Sequence, residues 1–325
     1  MAVICWGWVA GIVAATILLW AFGDRWWPAT LLLYGPRWPL LLPAPLVALL
    51  ALAIRPRLLA PVLIATLIGL GPLLGGRTGW RSVLGTPGPA TLRVITFNMM
   101  SSGNPLMRQV PEVLAQYLPD LVFLQECAPG LEAPGLVPDG WTIHRQRSQC
   151  LMSRWPVDST EVMDVIHTAE DGMTGIAVAF DVALPGGTLR VVNMHLETPR
   201  RGIERFRVEG EVRSLARNIL LRNIGSQRTA RWVATRAPGA VVAGDFNLPV
   251  ESAIYRRHWS HCRNAFSDRG RGFGYTRILR RWSVRIDHVL NCGSEWQVVH
   301  AFVAEALGSD HLPVVVDLAR RESSP

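Results

Sequence analysis

The chain has 325 residues, a formal net charge of +8 and a mean hydropathy of +0.21. That length accommodates one large domain plus extra segments, and the hydropathy excludes an ordinary soluble enzyme unless the apolar residues are segregated. All 33 basic residues are Arg, a balance that favours anionic partners such as nucleic acid, phosphorylated lipids or an anionic membrane surface.

The apolar excess lies at the start. Ala2 to Phe22 carries no charge and is long enough to cross a hydrocarbon core of about 30 Å at about 1.5 Å per residue. A second apolar block runs from Trp38 to Ile54 and a third from Leu58 to Leu74, with Asp24, Arg25, Arg37, Arg55, Arg57 and Arg77 between and beyond them. Trp6, Trp8, Trp20, Trp26, Trp27, Trp38 and Trp80 sit near the block ends, where indole prefers the headgroup zone. A secretory signal fails as a reading, because no basic region precedes the first block and two more blocks succeed it. Residues 1–80 therefore read as a membrane anchor of about three helices. The second block, with Pro39, Pro43 and Pro45, also fits a buried core helix, which would leave two spans. No charge falls inside the three blocks, which disfavours a transport pathway. The Arg55–Arg57 turn suits the cytoplasm and would put the C-terminal domain outside. Arg25, Arg37, Arg77 and Arg81 then lie outside too, against the positive-inside bias. The expectation leans towards an extracytoplasmic domain on a plasma membrane.

Residues 81–90 form a Pro/Gly linker, expected to tether the C-terminal domain close to the bilayer. From Thr91 short strand patterns alternate with helical ones. Strands are expected at 91–98, 120–126, 174–182, 188–196, 239–247, 283–291, 295–304 and 312–319, and helices at about 107–118 and 203–236. Frequent hairpins among interspersed helices argue for mixed sheets, and residues 321–325 form a tail. The five Cys (Cys5, Cys127, Cys150, Cys262, Cys292) show no CxxC or zinc-like spacing. They read as buried thiols, with pairing open to them only outside the cytoplasm.

Polar residues recur where the strands stop: Asn98, Glu126, Asn193 and His195, Asp245 and Asn247, Asp287 and His288, Asp310 and His311. Carboxylates, amides and His at strand ends are where a hard cation and a phosphate can be held, and Mg²⁺ needs only one or two carboxylates. Phosphate-ester cleavage needs charge stabilisation and a positioned water more than a protein nucleophile. Each motif alone also fits a structural role. The order Asn, Glu, His, Asp-x-Asn, Asp, Asp-His is what carries weight.

The stretches TFNM (96–99), LQE (124–126), LMSRWPV (151–157), NMHL (193–196), GDFN (244–247), RIDHVL (285–290) and GSDHLPVVVDL (308–318) resemble the endonuclease/exonuclease/phosphatase superfamily over roughly residues 91–319. The N-terminal part resembles a bacterial branch in which such a domain comes after a few helices. The resemblance implies an α/β fold, a four-layer sandwich of two mixed sheets flanked by helices, over 91–320. It implies Glu126, Asn98 and Asp310 as ligands of Mg²⁺ or Mn²⁺. It implies Asp245 and Asn247 at the attacking water, His195 and His311 as donors to the phosphate, and Asp287 behind His311. The residues themselves offer no clear carboxylate partner for His195 beyond Glu197.

The substrate is less constrained. Between Arg200 and Arg236 ten Arg face three acidic residues. Arg200 and Arg201 are therefore candidate substrate-binding residues, although a solvated helix face also fits. Few aromatics interleave with them, so a stacking platform for single strands is poorly supported. The anchor favours a phosphoesterase acting on lipid-linked phosphates. A membrane-tethered endonuclease cleaving DNA or RNA is the alternative, and an inactive binding domain is a third reading that the complete residue set opposes. No protein partner is expected.

Overall fold

Residues 92–98 alternate between two apolar environments. Leu92 and Val94 point into one cluster, Ile95 and Phe97 into another. That period of two, buried on both faces, makes the segment a central strand. In the computed structural model it is β1 (Leu92–Asn98). The structure describes residues 1–83, 88–100, 110–127, 129–131, 135–164, 167–168, 172–173, 175–280 and 282–321. Within these lie β2 (Leu121–Gln125), β3 (Thr142–Gln146), β4 (Gln149–Ser153), β5 (Val157–Val162), β6 (Ile176–Leu184), β7 (Gly187–His195), β8 (Val241–Asp245), β9 (Arg263–Asn264), β10 (Asp287–Asn291), β11 (Trp296–Val303) and β12 (Val314–Arg320).

They form two six-stranded sheets, in the orders β11-β12-β1-β2-β4-β3 and β9-β10-β8-β7-β6-β5. Each sheet has a single parallel pair among these strands, β1 with β2 and β7 with β8, so both are mixed. One core lies between the sheets, with Phe123 of β2 and Phe180 of β6. The outer face of the second sheet packs on α7 (Val212–Arg236) and α8 (Ala253–Trp259), and that of the first on α5 (Val110–Tyr117). The four-layer sandwich is therefore as expected. The start of the helix expected at 107, and linker residues 84–87, lie outside the described residues.

Four details differ from the sequence reading. The helix expected over 203–236 is two, α6 (Arg200–Glu209) and α7, because Gly210 takes the left-handed conformation (φ 69°) that ends a helix. The strand expected at 283–291 keeps only its second half in the sheet. Its first two residues, Ser283–Val284, pair instead with Arg277–Ile278. β3, β4, β5 and β9 are not among the expected strands: β3 and β5 are sheet-edge strands with no apolar alternation, β9 has two residues, and the fully buried β4 overlaps LMSRWPV, singled out as a motif and not as a strand. The Cys are not mainly thiols: Cys127–Cys150 and Cys262–Cys292 are disulfides, and only Cys5 is free. Partners 23 and 30 residues apart are brought together by sheet pairing, which no local spacing announces.

The N-terminal segment contains α1 (Ala2–Phe22), α2 (Trp27–Tyr34), α3 (Ala44–Ile54) and α4 (Leu59–Ile68). Two helical stretches, Ala2–Phe22 and Pro56–Leu73, are long and apolar enough to cross a membrane. A third span arises only if Trp27–Tyr34 and Trp38–Ile54, bent by 81°, count as one. Pro39 and Pro43 lie where the second block breaks, since proline lacks the N–H that continues a helix.

This segment is docked directly on the sandwich. Ala253 N–H donates to the Gly23 carbonyl at 3.0 Å. Trp282 Nε1 donates to the Tyr34 carbonyl at 2.8 Å and Tyr275 to the Leu74 carbonyl at 3.1 Å. Ile12, Leu19, Leu33 and Leu73 share a cluster with Val284 and Ile286. These contacts join the N-terminal segment to the sandwich in addition to the chain connection at 81–90.

Candidate active site

Strand register assembles the polar residues at one rim. Parallel pairing sets His195 of β7 beside Asp245 of β8, and antiparallel pairing sets Asp245 opposite Asp287 of β10. Gly244 must be glycine, because a Cβ there would run into the Met194 carbonyl of β7. Asn98 ends β1 beside Gln125, the last residue of β2, and Glu126 is next in the chain. The 308–313 loop delivers Asp310 and His311, and its Ser309 hydroxyl donates to the Asn98 carbonyl at 2.8 Å.

Asp245 is the hub. Its Oδ1 accepts from the Asn247 N–H at 2.8 Å and its Oδ2 from Asn98 Nδ2 at 3.0 Å. The same Oδ2 lies 3.6 Å from His195 Nε2 and 3.7 Å from His311 Nε2. So His195 does have a carboxylate neighbour, and it is Asp245 rather than Glu197. Burial, and then the Asp287 carboxylate, push the Asp245 pKa up against the pull of the two imidazoles. Burial would also raise Asp287, but His311, with Nδ1 2.9 Å from its Oδ2, holds Asp287 below the usual carboxylate range.

His311 is pulled both ways. Burial disfavours its charge, yet Asp287 and Asp245 push its pKa up to about 9. Its Nε2 also lies 2.6 Å from Arg277 Nη1, a contact only a neutral ring can accept. Two buried carboxylates outweigh one guanidinium that is also paired with Asp310, so the charged ring prevails near neutral pH.

These groups floor a cleft of about 410 Å³ lined by Glu126, His195, Asp245, Asn247, Arg277 and His311, with Arg200 and Arg201 from the start of α6. Glu126 and Asn247 both hold left-handed backbones, each with φ 50°. Such conformations cost about 1–3 kcal/mol and cluster where function requires them. A small divalent cation fits the donor set. Asn98 Nδ2 is wedged between Glu126 (3.4 Å) and Asp245 (3.0 Å), and the buried Oδ1 of Asp310 has no hydrogen-bond partner among the described residues. Crowded carboxylate oxygens and an orphaned one suit Mg²⁺ or Mn²⁺.

Of the residues singled out from the sequence, seven line the cleft: Glu126, His195, Arg200, Arg201, Asp245, Asn247 and His311. Asn98 bonds two of them, Asp287 stands behind His311, and Asp310 pairs with Arg277. Asn193 is structural, stitching the sheets by accepting from Gln125 at 2.7 Å and donating to the Leu124 and Cys150 carbonyls. Sequence reasoning missed Arg277, one Arg among many. It also missed Tyr34, in the N-terminal segment, whose hydroxyl lies 3.0 Å from the Asn247 carbonyl.

This fold recurs in solved structures of low identity. A humanized D. rerio TDP2 carrying 14 mutations superposes with a TM-score of 0.54 at 18% identity, covering 70% of this chain and 98% of that one. D. rerio TDP2 complexed with a single-strand DNA product gives 0.52 at 18%, with the same coverage. The human Nocturnin catalytic domain with bound sulfate gives 0.52 at 18%, covering 71% of this chain and 94% of that one. No curated protein sequence matches the chain. A sequence model of the Endonuclease/Exonuclease/phosphatase family matches residues 95–311. The chain belongs to that family, and is a metal-dependent hydrolase acting on ester bonds.

Proposed function

We propose that the chain is a membrane-anchored phosphoesterase that cleaves phosphate ester or diphosphate bonds by attack of water, with lipid-linked phosphates as its substrates. The carrying observation is Asp245, buried and raised in pKa, within 3.7 Å of both His195 and His311 at the floor of an Arg-rimmed cleft. Glu126 and Asn98, with Asp310, would hold Mg²⁺ or Mn²⁺. Bound there, the ion supplies charge stabilisation to the phosphate and lowers the pKa of a water. Asp245 orients the attacking water and takes its proton, a task suited to a carboxylate whose basicity burial has raised. Asn247 holds that water against the phosphate. His195 and His311 donate to the phosphoryl oxygens as charge develops, and Asp287 fixes the His311 ring through Nδ1. Arg200, Arg201 and Arg277 meet the remaining negative charge.

The lipid reading is supported by where the cleft lies. Arg200 and Arg201 sit on α6, whose Phe206 ring is 5.3 Å from Trp27, at the start of α2 just beyond the first apolar helix. Residues 1–80 would serve as anchor, 81–90 as connection and 91–320 as catalytic domain. Two disulfides favour an extracytoplasmic domain, since such bonds persist in oxidising compartments. Arg37 and Arg81, which weighed against that side, are engaged by Glu251 and Asp268. A nuclease is the second reading, favoured by the likeness to a TDP2 complexed with DNA.

The test uses the full chain in detergent with Mg²⁺ beside its Asp245→Ala twin. Phosphate release from a polyprenyl diphosphate, lost in the twin and on chelation, is the expected result. Nicking of supercoiled plasmid, lost in the twin, would favour the nuclease instead. Turnover unchanged in the twin would overturn the site.

A further inference from the structure

A second cleft, of about 470 Å³, opens where the last apolar helix meets the sandwich. Helix Pro56–Leu73 ends, the chain turns, and Arg77–Thr78 pairs with Arg271–Gly272 in a separate two-stranded ribbon. Arg77, Trp80, Arg81, Arg263 and Ser267 line the opening. Arg81 is satisfied, 2.6 Å from Asp268. No such partner faces Arg77 among the described residues, and its Nε is buried without a hydrogen bond.

The anomaly deepens behind the cleft wall. Arg285 is 5% exposed and reaches the wall through Ser267, whose hydroxyl accepts from its Nη2 at 3.3 Å. Its guanidinium lies 4.9 Å above the Phe266 ring, but its Nη1 is buried with no hydrogen-bond partner among the described residues. The acid facing this group is Glu251, which also lies 3.8 Å from buried Arg37. Arg37, which also donates to the Leu73 carbonyl at 2.8 Å, and Arg285 thus draw on one carboxylate, and Arg77 adds a third positive charge beside them. Buried charge is retained when it is paired, and unpaired guanidinium N–H groups carry their full desolvation cost. Arg222, equally buried, bonds through all three of its nitrogens, so the shortfall is local.

We propose that this cleft binds the phosphate group of an anionic ligand, held by Arg77 and Arg263 with Arg285 behind them. The guanidinium fork matches phosphate oxygens, and two such forks with a Ser hydroxyl form a site for a dianion. Its place at the end of an apolar helix, beside a Trp80 that is 57% exposed, is the headgroup level of a bilayer. An anionic phospholipid headgroup and a free phosphate share this chemistry.

The experiment measures melting of the full chain in detergent with a chelator present, titrating dihexanoyl phosphatidic acid or inorganic phosphate. Both ligands stabilise by mass action if they bind the folded state. We expect phosphatidic acid to raise the melting temperature of the wild type and of Arg200→Gln alike. Apparent affinity should fall about tenfold in Arg77→Gln, the loss of one buried charge-assisted contact. Arg263→Gln, at an exposed position, should weaken binding even if Arg77→Gln folds poorly. An equal response to inorganic phosphate would assign free phosphate as the ligand, and a response to lipid alone would assign the headgroup. No shift with either probe, or a shift lost in Arg200→Gln but kept in Arg77→Gln and Arg263→Gln, overturns the site.

Discussion

Two buried polar clusters meet at Asn247 and obey opposite rules. In the first, Arg222 donates to Asp24 at 2.5 Å, to the Tyr34 hydroxyl at 2.7 Å and to Asn218 at 3.0 Å, while Ser252 donates to Asp24 at 2.6 Å. Strong ionic donors and acceptors are matched, and Arg222 is held charged despite burial. In the second, Asp245 and Asp287 face each other across two strands with His311 between them, and Asp245 is raised in pKa. The closed cluster fastens the N-terminal segment to the sandwich. The open one keeps like charges close, a state that costs stability and makes a base. Matching marks structure here, and mismatch marks chemistry.

Removing the hub of the open cluster should separate the two rules most sharply. Asp245→Ala should lower the hydrolytic rate by about 10³-fold or more, in the range of a lost general base. The melting temperature should hold or rise, because the like-charge neighbour of Asp287 is gone. A variant that melts well below wild type would mean that Asp245 is a structural ion, and the contrast would collapse. His311→Ala should likewise lose orders of magnitude in rate.

The closed cluster should respond in stability rather than rate. Asp24→Ala strands the fully buried Arg222 charge, a loss of about 3–5 kcal/mol in comparable buried pairs. Thermal melting in detergent should show it, with much smaller loss in Ser252→Ala, which removes one hydrogen bond of about 1–1.5 kcal/mol.

The open cluster was legible in the sequence and the closed one was not. Asn98, His195, Asp245 and Asp287 each close or open a strand, and Glu126 and His311 lie just outside one, so periodicity locates them and residue type gives the chemistry. Asp24, by contrast, finds Arg222 across 198 residues and Ser252 across 228. Arg222 reads as one more basic residue on an Arg-rich helix, and nothing local marks it as buried. The same blindness covers Cys262–Cys292 and Arg277, whose partners come through sheet pairing. It covers β5 too, since VDSTEV is an exposed edge with no apolar face. Sequence patterns report which face of an element is apolar, not which distant polar group will be matched against it.

Tyr34 joins the clusters and should report on both. Its hydroxyl accepts from Arg222 and has two acceptors in reach, Asp24 at 3.2 Å and the Asn247 carbonyl at 3.0 Å. Tyr34→Phe removes the bond to a residue whose backbone is held at φ 50°. A drop in kcat of about tenfold with KM unchanged would equal roughly 1.4 kcal/mol of lost positioning. Equal stability loss in Ser252→Ala without that drop would confirm that the anchor shapes the site. Equal kcat in both variants would confine Tyr34 to fastening.

The smallest effect sits one residue from the open cluster. Asp287 and His288 are neighbours on β10, and strand alternation turns them to opposite faces. Asp287 faces His311, while His288 packs 5.2 Å from the rings of Phe246 and Tyr255 and lies 2.8 Å from the Leu248 carbonyl through Nε2. Burial, and then Arg285, depress the His288 pKa to about 3. A folded value below the unfolded value of about 6.5 means that the unfolded chain binds the proton first. His288 therefore costs stability as pH falls below about 6.5, by about 1 kcal/mol at pH 6. His311 has the opposite sign: raised to about 9, it contributes fully below about pH 6.5 and fades as pH rises through 9. Comparing melting at pH 7 and pH 6 for wild type and His288→Gln isolates the first effect, since Gln keeps a donor for Leu248 and takes up no proton. A smaller acid loss in the variant is expected. An identical loss would mean that His288 is protonated in the folded chain, and that its ring belongs with the open cluster after all.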